Sequence, residues 1–102
     1  MSLAMRTLQL AGQESLTPRN ADDLLSTGGQ LVDIRSPDDF RRGALPGARN
    51  LPVDVLAYDY GHLDKSEPVI LYGSQPVMCA RAARLLAGMG FSRIYHLATQ
   101  CD

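Results

Sequence analysis

Apolar residues cluster along this chain in two rhythms. Leu31-Val32-Asp33-Ile34 and Val69-Ile70-Leu71-Tyr72 are short, largely apolar and β-branched with little alternation, which predicts parallel strands covered on both faces, the first of them central. Other stretches follow a helical period. Leu16-Thr17-Pro18 opens a helix in which Thr17 caps, Pro18 fits the first helical position and Ala21, Leu24 and Leu25 share one face; Gly28-Gly29 ends it. Ser36-Pro37-Asp38-Asp39 predicts a second helix, with two carboxylates at its positive end, Phe40 as its anchor and Gly43 closing it. Gly43 to Ala48 is a tight loop leading to Arg49-Asn50-Leu51-Pro52, a short, edge-lying strand ended by proline. Val53 to Leu63 fits either a short helix or a packed loop. A helix from about 79 to 89 carries Cys79, Ala82, Ala83 and Leu86 on one stripe and turns Arg81, Arg84 and Gly88 outward, with Gly90 as its cap. Arg93 to Leu97 is a last strand, and weak alternation at Thr7 to Leu10 suggests a first. Helices alternating with apolar strands predict an α/β domain with a mainly parallel sheet.

Composition narrows the class. With 102 residues the chain is one domain, and 45% hydrophobic residues, 21% charged residues and a net charge of −1 argue against binding nucleic acid or a membrane surface. No apolar run reaches the length of a membrane span, and the first residues lack the regions of a signal peptide, so the cytoplasm is the default address. Met1 to Ala4 read as a leader foreign to the domain, with Met5 as the natural start and the domain running over 5–102. Cys79 and Cys101 are too few for a disulfide framework, and no Cys/His cluster has metal-ligand spacing; neither a metal nor a cofactor is expected.

Chemistry is expected where Val69-Ile70-Leu71-Tyr72 leads through Gly73-Ser74-Gln75-Pro76-Val77-Met78 into the helix, because such a loop points backbone N–H groups at one spot. Its side chains offer little. Gly73 stands where a nucleophile would, Pro76 removes an N–H group and Met78 brings no charge. Cys79 is the fallback nucleophile, since a helix N-terminus lowers a thiol pKa, but its apolar stripe favours an inert, packed cysteine. Cys101, at a fraying end, reads as an incidental exposed thiol. His96 reads as a structural histidine on a strand and His62 has no partner in reach. Asp33 and Arg35 read as a structural ion pair or loop brace.

The order of these signals resembles the rhodanese (sulfurtransferase) family from Leu16 to Leu97. The residues that carry it are Leu31 to Phe40, similar to the family's Asp-x-Arg stretch and acidic helix; Gly43 to Pro52, similar to its Gly-His-Ile-Pro-Gly-Ala turn with Ala44 in place of histidine; Val69 to Leu86; and Ile94 to Leu97. The resemblance implies a five-stranded, mostly parallel sheet with helices on both faces. It also implies an activity, sulfane sulfur carried as a cysteine persulfide. The cysteine's place is taken by Gly73, the loop's usual glycine by Pro76 and its frequent arginine by Met78.

The expectation is therefore a rhodanese-like domain without its catalytic cysteine, a pseudoenzyme acting as a binding or regulatory module for an unknown protein partner or through self-association. The alternative is an active sulfurtransferase working through Cys79 or Cys101. A phosphatase on the same fold would need the cysteine and arginine that this loop lacks. If only side chains have been lost, Gly73→Cys should permit slow persulfide formation, and Pro76→Gly and Met78→Arg should raise it. The chain stops soon after its last strand, at Ala98 to Asp102, where bare apolar surface is expected.

Overall fold

The computed structural model describes residues 13–73 and 75–97. Five strands, β1 (Gln13–Leu16), β2 (Gln30–Asp33), β3 (Arg49–Asn50), β4 (Val69–Tyr72) and β5 (Ile94–Leu97), form one sheet in the order β1-β5-β4-β2-β3, and each pairing is parallel. Helices α1 (Pro18–Ser26), α2 (Pro37–Arg42), α3 (Val53–Leu56) and α4 (Pro76–Gly88) alternate with them. All residues of β2 and β4 are buried, the polar Gln30 and Asp33 of β2 included, as in strands covered on both faces. The middle of the sheet is β4 rather than β2, which lies between β4 and the edge strand β3. The expected strand at Thr7 to Leu10 lies outside the described residues. The strand observed, β1, has no apolar rhythm; its place comes from backbone pairing with β5, in the register Gln13 with Ile94 through Leu16 with Leu97.

Local chemistry sets the helix starts. The Thr17 hydroxyl accepts the Asn20 N–H at 3.2 Å, and the Ser36 hydroxyl accepts the Asp39 N–H at 3.2 Å, each followed by a proline in the first turn. Such caps contribute about 1 kcal/mol each. Phe40 does not anchor α2 as expected. It is only half-buried, α2 has no buried residue, and the helix is held by its cap and by the exposed pairs Arg41–Asp38 and Arg42–Asp39.

The helix after β4 starts three residues earlier than its pattern predicts. Pro76 occupies the first turn, where its missing N–H has no helical partner to lose, so Pro76, Val77 and Met78 belong to α4 and not to the loop. The stripe falls as expected. Cys79, Ala82, Ala83 and Leu86 are fully buried, whereas Arg81, Arg84 and Gly88 face outward. Beyond the end of α4, Gly90 adopts a left-handed φ of +104° while the next N–H, from Phe91, donates back to Leu86 O at 3.1 Å.

Candidate functional site

Parallel strands bring the ends of β2 and β4 to the same edge of the sheet, so the segment after Asp33 meets the segment after Tyr72. Asp33 is completely buried and fully engaged. Its Oδ1 accepts the Arg35 backbone N–H at 2.9 Å and Arg35 Nε at 3.0 Å, and its Oδ2 accepts Arg35 Nη2 at 2.7 Å. Arg35 Nη2 also donates to Gly43 O at 2.6 Å, tying β2 to the turn after α2. The Tyr72 hydroxyl accepts the Leu45 N–H at 3.0 Å and interacts with the Asp33 carboxylate. Asn50 Nδ2 donates to Asp33 O and Arg35 O, at 3.1 and 3.0 Å. Asp33, Arg35, Tyr72 and Asn50 together thus fasten the ends of β2 and β4, the 43–45 turn and β3.

The electrostatics follow. Burial pushes the Asp33 carboxyl up, but the hydrogen bonds from Arg35 and Tyr72 and the guanidinium charge together outweigh it and hold the carboxyl below its ordinary value. The same pair holds the Arg35 pKa up, chiefly through its hydrogen bonds to Asp33. Burial and the neighbouring Asp33 charge raise the Tyr72 phenol, against the Leu45 N–H, which lowers it, so the tyrosine stays neutral and able to donate. Asp33 and Arg35 are the loop brace that the sequence suggests. Tyr72, Asn50 and Gly43 O are partners that sequence reasoning misses. The available signal is a tyrosine at the end of an otherwise aliphatic strand and an asparagine within the edge strand.

The loop itself contrasts with this. Gly73 has a φ of +106°, and a Cβ built on it would lie 2.9 Å from Arg35 Cγ and 2.9 Å from Asp33 Oδ1. Gln75 caps α4 with its backbone alone, its carbonyl accepting the Met78 N–H at 2.9 Å and the Cys79 N–H at 3.1 Å. Pro76 and Val77 are exposed, and Met78 is half-buried against the core; Ser74 lies outside the described residues. Beside the brace is an open cleft of about 340 Å³ lined by Arg35, Gly43, Ala44, Leu45 and Tyr72, on the side where Ala44 replaces the family's histidine.

Cys79, the fallback nucleophile, is fully buried and its sulfur is engaged in a disulfide. The cysteine count, too low for a framework, does not exclude that single bond. Cys101 lies outside the described residues. His62 is exposed on a second open cleft with Arg49, Asn50, Leu51 and Gly61, and His96 is half-buried on β5. Among the described residues no group of three or more His, Cys, Asp or Glu side chains could hold a metal ion, and no helix is long and apolar enough to cross a membrane.

A five-stranded parallel sheet alternating with helices, with the loop after its middle strand leading into α4, is an α/β domain of the doubly wound kind. The chain belongs to the rhodanese-like domain family, whose model matches residues 17–99. It is 37% identical over 82 residues to thiosulfate sulfurtransferase GlpE of Ectopseudomonas mendocina, covering 80% of this chain and 75% of that protein. It is 38% identical over 68 residues to the uncharacterized protein YqhL of Bacillus subtilis, covering 67% of this chain but only 54% of the relative's length. Among solved structures, the human single-domain sulfurtransferase TSTD1 superposes with a TM-score of 0.68 at 20% identity, covering 84% of this chain and 89% of that one. That likeness speaks for the fold.

Proposed function

We propose that this rhodanese-like domain does not transfer sulfur and serves as a binding or regulatory module. The observation that carries the reading is Gly73, which leaves the loop after β4 without a nucleophile at the position where the family resemblance puts one. A persulfide needs a sulfur atom whose thiolate is held by loop amides and, usually, a nearby cation. Cys79 supplies no accessible thiol here, being buried and oxidised. A missing arginine also matters, since each charge-assisted hydrogen bond it could donate is worth roughly 1.5–3 kcal/mol. Two large apolar side chains are exposed instead: Val77, in the first turn of α4, at 64%, and Tyr58, just past α3, at 91%. Since α3 packs on α4, these side chains suit a protein partner or a second copy of the domain.

The second reading, an active sulfurtransferase, is favoured by the thiosulfate sulfurtransferase among the relatives. It would work through Cys79 after reduction, or through Cys101. Intact mass after incubation with thiosulfate or a persulfide donor separates the two readings. No one-sulfur adduct is expected, with or without prior reduction; an adduct that disappears in Cys79→Ser or in Cys101→Ser establishes the second. The composition suits the cytoplasm, whereas a lasting disulfide at Cys79 suits an oxidising compartment. Non-reducing mass spectrometry of protein drawn from its host decides between them.

A further inference from the structure

We propose that Gly73 is an obligatory glycine, and that the Asp33–Arg35 brace is a structural lock which fills the space that a side chain at this position would need. The inference goes beyond the absence of a thiol and holds whichever partner the domain has. Its basis is the coincidence of two independent constraints at one residue. The first is the backbone: a φ of +106° lies where residues with a Cβ are rarely found. The second is space. The ideal Cβ position at Gly73 is 2.9 Å from Arg35 Cγ, 3.2 Å from Arg35 Cδ and 2.9 Å from Asp33 Oδ1, all closer than ordinary van der Waals contact. Neither neighbour is a loose side-chain end. Arg35 is held by Nε and Nη2 at Asp33 and by Nη2 at Gly43 O, and Asp33 is completely buried.

A side chain at position 73 must therefore rotate the loop backbone or unseat the brace that fastens β2, β3 and β4. Gly73→Cys then does not deliver a thiol to the focus of the loop amides, contrary to the expectation from sequence. Gly73 and the brace thus form one unit.

The matched control is Gly90, with φ +104° and only the flexible Lys65 side chain near its Cβ position, at 3.5 Å or more. Gly90→Ala suffers the backbone strain without the crowding. Urea unfolding should show Gly73→Ala losing roughly twice the stability that Gly90→Ala loses. In NMR titration, the Asp33 carboxyl should move back toward its ordinary value in Gly73→Ala and stay put in Gly90→Ala. In Gly73→Cys, the introduced thiol should gain no sulfur from thiosulfate. A variant at 73 that does not fold, beside a folded Gly90→Ala, agrees with the lock. Equal losses at the two glycines, with Asp33 unmoved, overturn it, as does a one-sulfur mass gain in a Gly73→Cys protein of unchanged stability.

Discussion

Two segments leave the same edge of the sheet, one after β2 and one after β4, and they are built by opposite rules. The first is dense with polar contacts: a buried carboxylate, a guanidinium bonded to it through two nitrogens, a tyrosine hydroxyl and an asparagine amide. The second is short and makes its turn into α4 with backbone groups, followed by the apolar Pro76, Val77 and Met78. On the reading proposed above, this chain keeps the contacts that shape the edge and lacks the groups that would react there. Positioning and reactivity are thus separable, and a fold can retain the first without the second.

The contrast is broken most forcefully from the polar side. Arg35→Ala leaves Asp33 buried with its charge partner gone, and urea unfolding at neutral pH should show a loss of about 3–5 kcal/mol. A loss below about 1 kcal/mol would mean that the brace is no more structural than the loop beside it.

Acid acts on the same group more gently. The Asp33 carboxyl lies below its ordinary value in the folded protein, so its contribution is present above the unfolded pKa of about 3.9 and is lost as pH falls through the lower folded value. Unfolding midpoints followed downward from about pH 5 should decline, and Asp33→Asn should flatten that decline while lowering the starting stability. A decline equally steep in Asp33→Asn would assign it to other carboxylates.

On the apolar side the expected effects are small. Pro76→Ala should change stability by no more than about 1 kcal/mol, because a first-turn proline contributes mainly by restricting the unfolded chain. A larger loss, measured by the same unfolding curves, would show that Pro76 fixes the loop shape. Val77→Asp should leave stability within about 0.5 kcal/mol, since the side chain is mostly in water, and should weaken self-association or partner capture if that face is the docking surface. Unchanged sedimentation and unchanged capture would remove Val77 from it.

Much of this architecture is legible in sequence because it depends on local chemistry. Thr17-Pro18 and Ser36-Pro37 announce helix starts through caps and fixed φ, and the aliphatic runs at 31–34 and 69–72 announce buried parallel strands. The start of α4 is misread because proline at a helix start and proline in a loop look alike until the hydrogen bonds of Gln75 O are seen. β1 escapes because a strand at a sheet edge is held by pairing with β5, distant in sequence. Phe40 misleads because an aromatic in an acidic helix invites an anchor role that the packing does not require. At the site, the pairing of Asp33 with Arg35 is readable from their spacing. The approach of Gly73 to both belongs to tertiary geometry, and no motif encodes it.

The strand order has a consequence for how the domain is made. β1 comes early in the chain, yet its sheet partner β5 comes near the end of the described residues, Gln13 pairing with Ile94. At ordinary synthesis rates, on the order of ten seconds separate the emergence of those two residues from the ribosome. During that interval β2, β3 and β4 can pair among themselves, while β1 waits as an unpaired segment and β4 presents an open edge to whatever strand arrives first. The nascent domain is thus most exposed to wrong pairing just before β5 arrives, which makes residues 94–97 the clasp that closes the sheet between β1 and β4.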